Sequence, residues 1–347
     1  MSTASAIPKL GEETVPADEA AAAARVVELI RTNYALDYAS VRPALRDQHA
    51  KSHGCVRAQF IVGSDVPQEL RHGIFAEPGS YEAWIRFSSS AARPAADSKR
   101  DAHGMSIKVM GVDGEKILPS ERDARTQDFV IANNPVFFCR TAADYVLLAE
   151  HSAQGKLPRF FLPSANPRAW RLREGLNILT ATQKKVVNPL AIRYWSQTPF
   201  ALGPHAVKYS ATPRVAGGGR QPHLKGRDLL QDAMARQLEH GEAMFDFMVQ
   251  RQTDPRRMPV EDPTVRWKER RSPFRTVATI RIDAQDFTSQ AHKNFAEALS
   301  FTPSHSLPDH RPLGGINRVR AAAYDAISEM RHDMNRVARL EPSDGTP

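Results

Sequence analysis

Alternation of apolar and polar positions predicts β-strands along much of the chain. Residues 81–88 (YEAWIRFS) alternate most clearly, and 56–62, 105–111 and 127–132 also have the composition of strands. A later segment, 276–282 (TVATIRI), predicts another strand.

Helical patterns predict helices between and after these strands. Residues 18–33 begin with acids and end with an arginine in the last turn, which suits the helix dipole, and 142–153 also predicts a helix. The amphipathic range 226–251 predicts one long helix, and 315–340 predicts a long terminal helix. Residues 154–225, rich in proline and aromatic residues, are expected to form long connections with short elements.

The order of these elements predicts the α+β class with an antiparallel sheet. Strands dominate the first half, and the regular β-α-β alternation of a parallel sheet is missing. We expect residues 1–17 to form a flexible N-terminal arm, 18–340 a single domain, and 341–347 a C-terminal tail.

Composition restricts the class of protein. Of 347 residues, 41% are apolar and 25% charged, which is ordinary for a globular chain. No apolar run approaches the roughly 18 to 20 residues of a membrane span. The sequence begins without the pattern of a secretory signal, and two cysteines argue against a disulfide framework, so we expect a cytoplasmic location.

The net charge does not indicate a nucleic-acid partner. Lys and Arg number 47 against 39 acids, a surplus of +8, but the basic residues are scattered among acidic ones. The sequence also has no zinc-finger spacing, aromatic RNA-binding signature or glycine-rich phosphate loop. We therefore expect no nucleic acid to bind.

The most informative segment lies in the terminal helix, where Arg320, three alanines and Tyr324 are followed by Arg331. On a helix, Arg320 lies ~40° and Arg331 ~20° around the axis from Tyr324, so all three share one face. Positive charge beside a phenol favours the phenolate, a hard ligand suited to ferric iron and known as a proximal haem ligand. From these residues alone, an ordinary amphipathic helix with one packed tyrosine stays open.

Four motifs precede this helix in the chain. They are Arg46-Asp-Gln-His49-Ala-Lys, Ile-Arg86-Phe-Ser88, Arg100-Asp-Ala-His-Gly104 and Asn133-Asn-Pro-Val-Phe137-Phe. Together with the helix motif they resemble the catalase superfamily over residues 46–331. The segments YWSQTPFALGPHAVKYSATP and VEDPTVRWKE are more similar to the small catalase-related haem peroxidases. The resemblance implies an α+β fold, a catalase-like antiparallel β-barrel with surrounding helices and a C-terminal haem-ligand helix.

The resemblance also implies a site for haem b, iron protoporphyrin IX. Tyr324 would be the metal ligand, and Arg320 would hydrogen-bond to its phenolate. On the opposite side of the ring, His49 would be the acid–base residue, Asn133 would orient the peroxide and Ser88 would support His49.

Five further residues would bind the porphyrin itself. Arg46, Arg86 and Arg331 would neutralise the two haem propionates, because carboxylates inside a protein need paired cations. Phe137 and Tyr145 are candidates for packing against the ring.

The motifs depart from typical catalases at two places. The asparagine motif lacks one residue, which leaves open whether Asn133 or Asn134 faces the haem, and Asn133 could instead serve the turn before Pro135. Ser88 could equally bridge strands. Gln48 precedes His49 where typical catalases have a small valine. A longer, polar side chain beside the peroxide site leaves three consequences open: extra water, a narrower pocket or a different substrate.

These residues imply a haem-dependent peroxidase or catalase-like oxidoreductase. It would cleave the O–O bond of hydrogen peroxide or of an organic hydroperoxide, with a small organic electron donor as a candidate partner and a homo-oligomer as the expected assembly. The alternatives are a fatty-acid hydroperoxide isomerase similar to allene oxide synthase and a non-catalytic haem-binding protein. The joint presence of His49 and Tyr324 favours an enzyme.

Overall fold

The computed structural model describes residues 8–214 and 226–342. The strands in these ranges are β1 (Ser52–Val62), β2 (Gly79–Ser89), β3 (His103–Met110), β4 (Thr126–Ala132), β5 (Tyr194–Trp195), β6 (Phe200–Leu202), β7 (His205–Pro213), β8 (Ala243–Arg251) and β9 (Arg275–Ile282). The α-helices are α1 (Glu19–Asp37), α2 (Ala142–Ala153), α3 (Leu157–Phe161), α4 (Leu172–Thr182), α5 (Leu229–Leu238), α6 (Gln290–Ala298) and α7 (Gly315–Asn335).

Eight of the strands close into an antiparallel barrel. Their order is β1-β2-β3-β4-β5-β7-β8-β9, and β9 pairs with β1 to complete the ring, while β6 pairs with β7. Closure leaves the eight strands paired on both sides over part of their length, which removes the exposed edges of an open sheet. The predicted α+β class and antiparallel barrel are confirmed.

Aromatic side chains fill the interior of the barrel. The rings of Phe60, Phe129 and Phe247 are buried, with centroids 4.9 to 6.0 Å apart. Because side chains alternate along a strand, Phe87 on β2 belongs to this interior core whereas Arg86 and Ser88 take the outer face. Any chemistry of Arg86 and Ser88 therefore takes place between the barrel and its surrounding helices.

The single helix predicted over 226–251 is wrong. Helix α5 ends at Leu238, and the strand β8 follows after a turn through Gly241. In β8 the residues Ala243, Phe245 and Phe247 are buried with partly buried residues between them, the period of a strand. Pairing with β7 and β9 outweighs the helix propensity of Ala, Met and Gln in this segment.

The other predicted elements differ mainly at their ends. The terminal helix stops at Asn335, because Arg336 has a left-handed φ of 54°. Helix α6 was not predicted. The range 154–225 includes the eleven-residue α4 and the nine-residue β7 as well as connections.

The domain boundaries stay predictions. Residues 1–7 of the predicted arm and 343–347 of the predicted tail lie outside the described residues. Within 8–17, Glu13 accepts hydrogen bonds from Arg311, Gly314 and Arg318. Among the helices in 8–214 and 226–342, none is long and apolar enough to cross a membrane.

Candidate functional site

One end of the barrel gathers the motif residues of the first half of the chain. His49 comes just before β1, Ser88 lies near the end of β2, and Gly104 near the start of β3 pairs with Ser88. Asn133 follows the last residue of β4 directly. In an antiparallel sheet these starts and ends alternate at the same rim, which brings distant motifs together.

His49 is held at both its backbone and its side chain. Its N–H donates to Ser90 O (3.1 Å), its carbonyl accepts from Arg86 Nη2 (2.9 Å), and its φ of 59° is left-handed. Such a backbone conformation costs of order 1–3 kcal/mol in a non-glycine residue and persists only where surrounding contacts impose it. The imidazole Nδ1 lies 3.0 Å from Ser88 Oγ.

The electrostatic surroundings keep the His49 ring neutral. Burial, together with the positive charges of Arg86 and Arg320, lowers the pKa of His49 to about 3. With Nδ1 donating to Ser88 Oγ, the lone pair lies on Nε2, which can accept a proton. The ring can therefore act as a base near neutral pH. Gln48, the preceding residue, is exposed.

Gly104 leaves the space that the His49 ring uses. A Cβ at this position would lie 2.6 Å from His49 Cε1, 2.7 Å from Nδ1 and 3.2 Å from Ser88 Oγ. Only glycine fits there without moving the ring. The sequence places Gly104 in a motif but gives no sign of this contact.

The two asparagines after β4 differ in their bonds. Asn133 Oδ1 accepts from the His103 N–H (3.0 Å), while its buried Nδ2 has no partner among the described residues. Asn134 Nδ2 donates to Val136 O (2.8 Å), a local turn bond. A buried amide donor without a partner is costly. Asn133 is therefore the better candidate for a donor to a bound molecule.

The arginine–tyrosine pair of α7 forms as the spacing predicts. Arg320 Nη2 donates to Tyr324 Oη (3.3 Å). The other terminal nitrogen of Arg320 donates to Thr198 Oγ1 (3.1 Å) and Asn317 Oδ1 (3.0 Å), and Thr198 Oγ1 donates to Asn317 Oδ1 (2.9 Å). Sequence reasoning missed Thr198 and Asn317, although both lie in segments that carry the resemblance. They fix the guanidinium beside the phenol.

The three arginines assigned to the propionates surround one carboxylate, Glu297 of α6. Arg46 Nη1 donates to Glu297 Oε2 (2.8 Å), and Arg86 Nη2 lies 3.6 Å from Oε1. Arg331 donates to the Glu297 backbone carbonyl and to Leu299 O (3.2 Å). Glu297 could not be named from the sequence, because α6 was not predicted.

Charge decides the ionisation within this cluster. Burial opposes ionisation of Glu297, but the positive charges of Arg46, Arg86 and Arg331 outweigh it and lower the pKa of the carboxyl. Burial and the charge of Arg46 lower the pKa of Arg86 to about 10 and that of Arg331 to about 9. Glu297, Arg86 and Arg331 are therefore charged near neutral pH, and positive charge is in excess.

The two candidate ring-packing residues belong to an aromatic cluster near α7. Phe137 stacks on Phe138 (4.1 Å between centroids) and meets Tyr145 edge-on (6.1 Å). Ile316 of α7 is buried in the same cluster. The cluster leaves Tyr145 and Phe138 partly exposed.

The donor set fits haem. A phenol oxygen hydrogen-bonded to a guanidinium suits ferric iron, and three guanidiniums suit two carboxylates. The buried Asn133 Nδ2 and Arg86 Nε atoms, which lack partners among the described residues, are donors for a polar ligand.

Comparison with known proteins also finds similarity to catalases. Residues 33–174 match the family model for catalase. No curated protein sequence matches the chain. Among solved structures, catalase A from Saccharomyces cerevisiae is 18% identical with a TM-score of 0.64, over 90% of this chain and 68% of the other.

Two further catalases share the fold. A fungal catalase is 16% identical (TM-score 0.62, 90% of this chain and 62% of the other), and a bacterial catalase is 17% identical (TM-score 0.55, 91% and 64%). The chain thus spans about two thirds of the length of these catalases. Residues 33–174 thus match the catalase family, and the chain has the barrel fold of these catalases.

Proposed function

We propose that this chain is a haem b-dependent oxidoreductase of the small catalase-related peroxidase type, acting on hydrogen peroxide or on an organic hydroperoxide. The observation that carries the proposal is the neutral His49 imidazole, whose Nδ1 lies 3.0 Å from Ser88 Oγ. The positive charge of Arg320, which donates a hydrogen bond to Tyr324, helps to lower the pKa of this imidazole. A protein that only bound haem would have no need of a positioned base.

Haem, when bound, supplies the electrons for cleavage of the O–O bond. Tyr324 would bind its iron, with Arg320 donating to the phenol oxygen. Arg46, Arg86 and Arg331 would hold its propionates, and Phe137 and Tyr145 would pack near its ring.

The residues of the chain would move the proton. His49 Nε2 accepts the proton from one peroxide oxygen and returns it to the other, which leaves as water or alcohol. Positioned proton transfer of this kind contributes typically ~10²–10⁴ in rate. Asn133 Nδ2, which is buried and has no partner among the residues that the structure describes, donates to the oxygen that gains charge. Ser88 keeps the lone pair of His49 on the correct nitrogen.

The test is reconstitution with haemin followed by three assays. A Soret band and His49-dependent peroxide consumption are expected. Oxygen release from hydrogen peroxide indicates catalase activity, and oxidation of an added dye indicates peroxidase activity. Loss of a fatty-acid hydroperoxide without oxygen release or dye oxidation indicates the isomerase. Equal turnover in wild type and His49→Ala would contradict the proposal.

A further inference from the structure

Glu297 lies where three cationic side chains converge. It is the next-to-last residue of α6, and its side chain is 33% exposed while that of Arg86 is 2% exposed. Its two carboxylate oxygens face different arginines, Arg46 at 2.8 Å and Arg86 at 3.6 Å. This is the way in which a haem propionate would be bound by the same arginines.

The arginines do not depend on the Glu297 carboxylate for their positions. Arg46 Nη2 donates to the carbonyls of Ala296 (2.9 Å) and Leu299 (2.7 Å). Arg86 donates to His49 O (2.9 Å), and Arg331 is held by backbone carbonyls at the end of α6. A neutral side chain at position 297 would leave these backbone bonds intact.

We propose that Glu297 competes with the haem propionates for Arg46, Arg86 and Arg331. The carboxylate stabilises the protein when haem is absent and weakens the binding of haem. The inference rests on the proposed function, because it takes the three arginines as the propionate site.

Two physical effects act in the same direction. A propionate must displace the Glu297 carboxylate or share the arginines with it, and in either case a negative charge nearby repels it. Conversely, without Glu297 and without haem the three guanidiniums repel one another with no carboxylate between them. The partial exposure of Glu297 and its place at the end of α6 let the side chain turn outward when a propionate arrives.

The test uses Glu297→Gln, which keeps the size of the side chain and removes its charge. Apo-protein is titrated with haemin, and with the dimethyl ester of iron protoporphyrin IX, in which the propionates carry no charge. We expect the Kd for haemin to fall about tenfold and the Tm of the apo-protein to fall by a few degrees. The Kd for the dimethyl ester should stay at the wild-type value.

Two variants complete the design. Glu269→Gln is the matched control, because Glu269 is also partly exposed and pairs with an arginine, Arg193 at 3.0 Å, outside the cluster. It should leave both Kd values unchanged. Glu297→Asp shortens the carboxylate and should give a haemin Kd between those of wild type and Glu297→Gln.

Several results would overturn the inference. An unchanged or higher haemin Kd in Glu297→Gln would show that the carboxylate does not compete, and an equal gain for the dimethyl ester would show that propionate charge is not involved. Either result leaves the proposed function standing. A wild-type chain that gives no Soret band with haemin overturns both, whereas a chain that binds haem without consuming peroxide contradicts only the proposed function.

Discussion

Replacing Gly104 by alanine tests the geometry around His49 without removing any polar group. The added methyl would lie 2.6 Å from His49 Cε1, whereas ordinary van der Waals contact begins near 3.4 Å. The ring must therefore retreat by roughly 1 Å. The backbone of His49 cannot follow, because its N–H and C=O are both bonded and its φ is already left-handed.

This displacement of the His49 ring should mainly reduce the rate of catalysis. A 1 Å displacement of a positioned group can reduce a rate by about 10²-fold. The Nδ1–Ser88 Oγ bond of 3.0 Å would lengthen at the same time and release the ring orientation. None of the three atoms nearest to the new methyl belongs to Tyr324 or to the three arginines. Haem binding should therefore survive.

The assay is kcat/KM for hydrogen peroxide, measured with an oxygen electrode and normalised to bound haem by the Soret band. Gly79→Ala is the matched control: Gly79 begins β2, and a Cβ there would meet nothing closer than Tyr81 Cε2 at 3.9 Å. Ser88→Ala should lose less than Gly104→Ala, because the ring keeps its place. A Gly104→Ala enzyme with full haem and wild-type kcat/KM would refute the reasoning.

Three further predictions concern the residue that anchors Arg320 and two buried lysines. Thr198→Val removes a hydroxyl that anchors Arg320, and we expect a ~10–100-fold loss of haem affinity by Soret titration; unchanged affinity would contradict the anchoring role. Burial lowers the pKa of Lys208 from 10.5 to about 7. The loss of folding stability caused by burying this amine is therefore complete below pH 7 and decreases as the pH rises towards 10.5. Lys208→Met should therefore raise the free energy of unfolding by about 3–5 kcal/mol at pH 6 and by little at pH 10, measured with urea; a gain independent of pH would exclude this cause. Asp128→Asn leaves Lys108, 2.9 Å away and buried, without its main partner and should cost about 3–5 kcal/mol, most of it recovered when Lys108→Met is added; no recovery would refute the charge argument.

Strands in which apolar and polar residues clearly alternate could be predicted from the sequence. Strands that are extended only because neighbouring strands pair with them could not. β2 and β9 alternate apolar and polar residues strongly, so their local pattern already matches the barrel. β8 is rich in residues that favour helices, and only its two neighbouring strands hold it extended. Helix α6 is short and mostly polar, with two buried residues, so its pattern is weak.

The candidate site divides in the same way. Motif residues such as His49 and Tyr324 could be named because rare residue types at fixed spacing carry the resemblance. Glu297, Thr198 and the steric role of Gly104 depend on which atoms meet across the fold, and no spacing along the chain encodes those contacts. The roles of the named residues remain predictions until haem is bound and assayed.

The seam between β1 and β9 has a consequence for biosynthesis. Arg281 Nη2 donates to Gln59 Oε1 across 222 positions of the chain, so this seam joins segments that are far apart in the sequence. A nascent chain cannot complete this seam until residue 282 has left the ribosome. Until then the free edge of β1 is open to wrong pairing, as unpaired strands are in slow-folding β-proteins. We expect ribosome-stalled chains that expose fewer than 282 residues to be cleaved rapidly by protease, and longer ones to resist.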